Sequence, residues 1–204
     1  YVQTEFRLIL SEESFDVTTV RNGVEETDIW YMGIHVTNSL ISSATRPLSL
    51  AGFLIEQKSL AGILPELSSL NGYNRNADVD IDDLNGWIAS TVDQVMSILP
   101  AEAEMLKHMP DHSLKGNIGT LTTDIYRSMK VHRKVQEIAL ENLTVSGDMT
   151  SYGILHSLSE AVASPSGERQ FPSKIVNHVQ RVCGTLPSRT EDICDSCGRL
   201  HLFD

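Results

Sequence analysis

The first part of the chain alternates apolar and polar residues. Every second residue from 2 to 10 is apolar or threonine, which is the two-residue period of a half-buried strand. Residues 15–20 form a second run of strand character, and the Asn22-Gly23 pair that follows suits a tight turn with positive φ. Residues 29–36 are rich in aromatic and branched side chains. These patterns predict a small antiparallel sheet.

Helical spacing replaces this alternation further along the chain. Pro47 precedes an apolar run at residues 48–55, and because proline is favoured in the first turn of a helix, the run predicts a short helix. Apolar residues then recur every three or four positions in four segments, residues 83–99, 121–143, 152–163 and 172–184. The first of these should end at Pro100, and the second should form one helix of about six turns.

The fold class that follows from these patterns is α+β. We expect a small antiparallel β-rich N-terminal part at residues 1–45, a mainly helical part at residues 46–184, and a Cys/His tail at residues 185–204. With 204 residues, of which 41% are hydrophobic, the three parts can share one core and form one compact unit.

The three cysteines of the chain all stand near its C-terminus. Cys194 and Cys197 have the spacing at which both sulfurs of a tight turn converge on one ion. Cys183 and His201 complete the four ligands of a tetrahedral zinc site, with His178 as the alternative fourth ligand. The sequence therefore predicts a structural zinc that ties the tail to the helical part. A disulfide or three ordinary thiols are the alternatives.

The cysteine count and the net charge indicate the cellular compartment and the kinds of partner to expect. An odd number of cysteines, 3 in 204 residues, favours a reducing compartment, so we expect an intracellular, cytoplasmic protein. The net charge of −11 repels nucleic-acid phosphates at long range. No run of about 18 apolar residues occurs, so no membrane span is expected.

Residues 74–85 place oxygen-bearing side chains at alternate positions, as calcium-binding loops do. Three positions depart from such a loop. Asn74 stands at the first ligand position, Val79 stands where the sharp turn needs glycine, and Asn85 stands where a bidentate glutamate belongs. Calcium is therefore disfavoured as a cofactor. Asp82 and Asp83 are interpreted instead as acids at the start of the next helix, where the helix dipole favours negative charge.

A non-catalytic interaction or assembly protein is the function class that requires the fewest special residues in this sequence. Such a structural or scaffold protein, of the kind that builds the shell or matrix of a larger particle, would join a protein partner or further copies of itself. A long amphipathic helix is a common contact element in such assemblies. The helix predicted at residues 121–143 is therefore the candidate contact element.

Two other function classes stay open. An RNA-binding protein would combine the zinc site with a basic cluster, which would equally suit an acidic protein partner. The residues of this basic cluster are Arg127, Lys130, Arg133 and Lys134. A cysteine enzyme would pair Cys183 with His178, or Cys197 with His201, as nucleophile and base. The sequence has no Gly-x-Ser-x-Gly elbow, phosphate-binding glycine loop or His-Glu-x-x-His helix, which disfavours catalysis.

Overall fold

A computed structural model describes residues 3–39, 48–65, 71–73, 81–163 and 171–194. Within these ranges an antiparallel sheet comes first and helices follow, which confirms the predicted α+β class. The strands are β1 (Gln3–Arg21), β2 (Val24–Ser39), β3 (Leu48–Glu56), β4 (Gly62–Ile63) and β5 (Asn71–Tyr73). The helices are α1 (Ile81–His108), α2 (Ile118–Ser128), α3 (Arg133–Ser146), α4 (Ser151–Glu160) and α5 (Ser173–Thr185), with 3₁₀ turns at Met109–Asp111 and Pro187–Asp192.

The strands of the sheet lie in the order β1, β2, β3, β4, with β5 also paired to β3. β1 and β2 form a long hairpin whose turn is Asn22-Gly23, as predicted, and both turn residues have positive φ, 51° and 79°. The two strands predicted at residues 2–10 and 15–20 are one strand, with a register shift between Ile9 and Ser14. Such a bulge bends a strand without ending it.

β3 lies where the sequence predicted a helix at residues 48–55, so that prediction is wrong, while Pro47 itself lies outside the described residues. β3 pairs with β2 on one side and with β4 and β5 on the other, and every residue from 50 to 56 is buried. A strand covered on both faces carries a continuous apolar run, which does not differ in pattern from a buried helix. The β part therefore reaches Tyr73, beyond residue 45.

α1 continues to His108, past Pro100, where it was predicted to end. A proline inside a helix costs about 3 kcal/mol or more, because it removes a backbone hydrogen bond and crowds the preceding turn. Beyond the proline, however, Leu106 and then Met109 are buried in the same cluster as Leu99. Each large apolar side chain that is buried contributes about 1.5–3 kcal/mol. Burial therefore outweighs the proline, which is exposed on the outer side of α1.

The single helix predicted at residues 121–143 is two helices, α2 and α3, so that prediction is also wrong. α2 ends in a Schellman motif, in which Lys130 has a φ of 56° and its N–H donates to the carbonyl of Arg127. The N–H of Val131 donates to the carbonyl of Tyr126, and both of these side chains are buried. Because glycine or asparagine usually marks such an end, a lysine there gives no signal in the sequence.

One face of the sheet packs against the helices, and we call it the core face. Trp30, Met32, Ile34 and Val36 lie on it and share one hydrophobic cluster with apolar residues of all five helices. α4 and α5 lie close to the predicted residues 152–163 and 172–184, and Asp82 and Asp83 lie in the first turn of α1 as expected. None of the helices described combines the length and the hydrophobicity that a bilayer crossing requires.

A buried polar cluster joins the β1–β2 hairpin to α4. The Arg21 guanidinium forms a bidentate ion pair with Asp28, one of whose N–O distances is 3.0 Å. The Tyr152 hydroxyl donates to the same carboxylate at 2.8 Å and accepts from the Trp30 indole at 2.9 Å. His156 lies 3.9 Å from the Asp28 carboxylate. Hydrogen bonds therefore link two strands and a helix far apart in sequence.

The ionised form of Asp28 is favoured in this cluster. Burial alone opposes ionisation, but the hydrogen bonds from Arg21 and Tyr152 outweigh burial and hold the pKa of the Asp28 carboxyl below its usual value. Burial likewise opposes the charge of Arg21, and the bond to Asp28 outweighs it, so the pKa of Arg21 is raised. Removal of either partner would leave an uncompensated buried charge, which is strongly destabilising.

We predict that Asp28→Ala lowers the free energy of unfolding by about 3–5 kcal/mol, because Arg21, whose side chain is 11% exposed, keeps only the more exposed Glu26 as a counter-charge. Tyr152→Phe should lower it by about 1–3 kcal/mol, through the loss of two buried hydrogen bonds. The matched control is Glu26→Gln, because Glu26 also contacts Arg21, at 3.1 Å, but its side chain is 45% exposed. That change should stay within about 1 kcal/mol. Urea denaturation measures all three, and equal effects of Asp28→Ala and Glu26→Gln would contradict the prediction.

Candidate protein-interaction site

The predicted zinc ligands divide between the core and the undescribed tail. Cys183 lies in α5 and is fully buried, and Cys194 follows the last 3₁₀ turn and is half-buried. Cys197 and His201 lie outside the described residues. Among the residues that are described, no three His, Cys, Asp or Glu side chains are placed to hold a metal ion. The four-ligand zinc site therefore stays a prediction.

Cys183 has the surroundings of a core side chain. Its thiol donates to the carbonyl oxygen of Leu155 at 3.9 Å, and burial raises the pKa of the thiol above its usual value. Without a bound metal the thiol stays neutral, which disfavours Cys183 as a nucleophile. His178, the alternative ligand and the proposed base, is exposed and so lies on a different face of α5 from Cys183.

The predicted basic cluster surrounds the break between α2 and α3. All four of its side chains are exposed, namely Arg127, Lys130, Arg133 and Lys134. Arg127 pairs with Asp124 at 3.7 Å, and Arg133 pairs with Glu137 at 3.1 Å, each within its own helix. These acids reduce the positive charge that the cluster presents to a partner.

The apolar residues of the predicted contact helix face the core. Ile125 of α2 and Val135 and Leu143 of α3 are buried in the large hydrophobic cluster, and Leu121 of α2 is also buried. Because these residues are already covered by their own chain, α2 and α3 do not offer the apolar contact surface that the sequence suggested. The candidate interface must lie elsewhere.

An apolar strand edge is exposed in the first part of β1. Residues 3–9 pair with β2 on one side, and β1 is the terminal strand in the order β1, β2, β3, β4. The side chains of Phe6, Leu8 and Ile9 are 47%, 51% and 48% exposed. The backbone groups along such an edge are a template for pairing with a further strand. We call residues 3–9 the open edge.

The open edge has only part of the protection that the edge of a sheet usually carries. Proteins protect edges with charged side chains, especially lysine, with proline, with a bulge or with a covering element. Residues 3–9 carry the charges of Glu5 and Arg7 but contain no lysine or proline, and the bulge begins only after Ile9. Beyond the bulge, Phe15, Val17 and Thr19 of the same strand are buried. The part of β1 beyond the bulge is therefore a core strand, and the part before the bulge is an exposed edge.

Contacts with α5 hold the open edge in place. The Asn177 amide donates to the Glu5 carboxylate at 3.0 Å, and the Arg7 guanidinium donates to Gln180 at 3.2 Å. The Arg7 guanidinium also lies 4.4 Å from the centre of the Phe53 ring. A groove separates the strand from α5 between these contacts. The strand is therefore ordered before any partner arrives, which lowers the entropy lost on binding.

His35 is the cross-strand neighbour of Arg7 and lies in the interior beside it. Only 2% of its surface is exposed, and its Nδ1 has no hydrogen-bond partner among the described residues. Burial, helped by the charges of Arg7 and Arg181, lowers the pKa of His35 to about 4, although Glu5 acts in the opposite direction. His35 is therefore neutral at pH 7.

The sequence predicted a strand at the open edge but did not identify it as a site. The absence of lysine and proline from residues 3–9 was a weak local signal, because edge strands often carry them. That signal has meaning only once the strand order is known, since the same composition suits a central strand.

We predict that His35 makes the protein less stable in acid. Its pKa is about 4 in the folded chain and about 6.5 when unfolded, so protons bind preferentially to the unfolded chain between these values. The stabilisation is complete above about pH 6.5 and is lost as the pH falls towards 4. Wild type should lose about 2–3 kcal/mol from this group between about pH 7.5 and 4.5.

Urea denaturation at a series of pH values measures this loss of stability. His35→Gln should remove the part of the pH dependence that His35 contributes. Burial also lowers the pKa of His156, so His156 still contributes part of the pH dependence of stability in that variant. The matched control is His108→Gln, at a side chain that is 75% exposed and in contact with Asp111. An identical pH slope in wild type and His35→Gln would contradict the assignment.

We predict about one zinc per chain, held by Cys183, Cys194 and Cys197 with His201, or His178 instead, as the fourth ligand. Mass spectrometry under native and denaturing conditions would measure the metal content, and Cys197→Ser should abolish binding. Alkylation distinguishes a thiol that is protected by burial from one that is protected by a bound metal. Cys183 is buried and should resist the reagent with or without a chelator. Cys194 and Cys197 should react only after chelation. Metal-free folded protein, with both of these thiols alkylated at the same rate with and without chelator, would contradict the zinc site.

Comparison with known proteins does not identify a family for this chain. No protein-family model, no curated protein and no solved structure matches the chain. The open edge of β1 is therefore the feature from which a function can be argued.

Proposed function

We propose that the protein is a non-catalytic interaction protein that assembles by pairing the open edge of β1 with a strand of another protein chain. The observation that carries this proposal is the exposure of Phe6, Leu8 and Ile9 on the terminal strand of the sheet. Strand addition to a sheet edge is a common way of joining chains. A structural or scaffold protein of a shell or matrix would use such a contact.

Strand addition would satisfy both the backbone and the side chains of the open edge. Main-chain hydrogen bonds to a new strand would use the outward N–H and C=O groups of residues 3–9. Phe6 and Leu8 pair with Val36 and Ile34, so both lie on the core face and a new strand would extend that apolar surface. Each favourable cross-strand side-chain pair adds about 0.2–1 kcal/mol.

Charge makes RNA binding the weaker alternative. The net charge of −11 opposes approach to phosphates, and Arg127 and Arg133 each have an acidic neighbour within their own helix. A structural zinc in the tail is compatible with assembly through β1, and its test is independent of this one.

We predict that Leu8→Lys disrupts assembly without unfolding the chain. Lysine on a strand edge resists pairing, because its charge must be desolvated against the incoming strand. Sedimentation velocity of the full chain should show association for wild type and monomers for Leu8→Lys. Hydrogen exchange of the amides of residues 3–9 should be slow in the wild-type assembly and fast in the variant.

The control is Val20→Lys, because Val20 lies on the same strand beyond the bulge, is 53% exposed and pairs with Glu25. It should associate like wild type. A short peptide of alternating valine and threonine, added to the chain, tests whether the edge accepts any strand. Association that Leu8→Lys leaves intact would contradict the proposal, as would a monomer that does not bind the peptide.

A further inference from the structure

We infer that the strand accepted by the open edge carries acidic residues in alternation with apolar ones, and that its acidic residues contact a basic face of α5. This inference rests on the proposed function, because it requires β1 to be a pairing edge. The basic face consists of Lys174, His178 and Arg181. Backbone pairing alone would accept any strand, whereas charged neighbours select among strands.

Three basic side chains occupy one exposed face of α5. Lys174, His178 and Arg181 stand four and three positions apart, a spacing that places side chains on one side of a helix, and all three are exposed. The sequence of α5 contains no Asp or Glu. No acidic residue of the helix itself therefore neutralises this face.

The charges of the basic face are available to a partner. Neither Lys174 nor Arg181 forms an ion pair with any residue that the structure describes. The basic cluster differs in this respect, because Arg127 and Arg133 each pair with an acid of their own helix. Two exposed cations that no described acid neutralises form a local positive surface, which is complementary to acidic side chains of a partner.

The basic face runs alongside the open edge. Asn177 contacts Glu5 and, three positions further along α5, Gln180 contacts Arg7, so the helix and the strand advance in the same direction. The first and last members of the basic face lie one turn before and one turn after Asn177. They are about 10 Å apart along the helix, a distance that about three residues of a strand also cover. The basic face therefore extends to both sides of the point at which α5 meets the open edge.

The electrostatic surroundings of His35 agree with this position of the basic face. His35 is the cross-strand neighbour of Arg7. Burial is the main cause of its low pKa, and the charges of Arg7 and Arg181 lower that pKa further. Arg181 is therefore close enough to the open edge to act on a side chain in the neighbouring strand.

The two faces of the open edge select different side chains in a partner strand. Phe6 and Leu8 lie on the core face, whereas Glu5 and Arg7, which alternate with them, point to the opposite face and contact α5 there. An added strand continues this alternation, because residues side by side on neighbouring strands share a face. Its core-face residues would extend the apolar surface, and its other residues would lie beside α5. Acidic side chains at those other positions would reach the basic face.

The net charge of −11 does not prevent this contact. Interactions between exposed charges are largely screened beyond about 8 Å at physiological ionic strength. The acidic residues of the partner strand would touch the basic face directly, whereas the net charge is spread over the whole chain. Local contacts therefore decide the sign of the interaction.

We predict that the full chain binds a short peptide of alternating valine and glutamate roughly five- to tenfold more tightly than the valine–threonine peptide. Each exposed charge pair contributes a small factor, and two or three would act together. A peptide of alternating valine and lysine should bind more weakly than the neutral peptide. Fluorescence anisotropy of the labelled peptides measures the three dissociation constants. Raising the salt concentration from about 50 to about 500 mM should remove most of the differences, because exposed charges are screened.

Reversal of the charges on the basic face should reverse this preference. In K174E/R181E the lysine peptide should bind more tightly than the glutamate peptide, while the affinity for the neutral peptide changes by less than about twofold. The matched control is R127E/K134E, which makes the same change of charge at two exposed residues of the basic cluster and should keep the preference for glutamate. Slower hydrogen exchange of the amides of residues 3–9 in the bound chain places the peptide on the open edge.

The possible outcomes separate this inference from the proposed function. Equal affinity for the neutral and the glutamate peptide would keep the open edge as a pairing site and overturn the acidic partner. A preference for glutamate that R127E/K134E removes as fully as K174E/R181E would overturn the basic face of α5 as its cause. Binding of an oligouridylate that K174E/R181E abolishes, together with equal affinity for the three peptides, would assign this face to RNA and overturn the inference. If none of the three peptides binds, both proposals are wrong.

Discussion

The buried pair of Arg21 and Asp28 fixes the position of the β1–β2 hairpin, on which the rest of the structure depends. Two buried charges are unfavourable by themselves, and they are tolerated here because Tyr152 completes the hydrogen bonding of the carboxylate from α4. Further polar contacts act at the same end of the hairpin. Thr19 donates to Asp148 at 2.8 Å, and the Asn22 side chain donates to the carbonyl of Val145 at 3.0 Å. Directional bonds therefore place the hairpin, and the apolar cluster fills the space around it.

This anchoring divides β1 into two halves with different roles. Past the bulge, Phe15 and Val17 are buried and Thr19 bonds to the segment that joins α3 to α4. Before the bulge, the strand extends to the rim of the sheet, where polar side chains of α5 contact Glu5 and Arg7. A strand held firmly at one end and ordered at the other is prepared for pairing, because little conformational entropy remains to be lost. In this way the stability of the core supports the proposed interface.

The sequence by itself determined the elements whose signals are local. The Asn22-Gly23 turn has positive φ at both residues, and such turns need residues that tolerate that backbone conformation. Alternation identified β1 and β2, and helical spacing identified α4 and α5, because a surface element shows its period directly. Together these signals gave the α+β order of the chain. For the site they predicted the strand that carries Glu5, Phe6 and Arg7, although not its exposure.

Only the tertiary structure decided the features that depend on residues distant in sequence. β3 is a strand because β2, β4 and β5 pair with both of its edges, and α1 passes Pro100 because the core continues beyond it. The break at Lys130 is stabilised by burial of Val131 and Tyr126 in the hydrophobic cluster, and α2 and α3 turn their apolar faces to the core. The exposure of the open edge likewise follows from strand order alone. Burial is a property of the packed whole, so no local pattern could show which strand would be left at the rim.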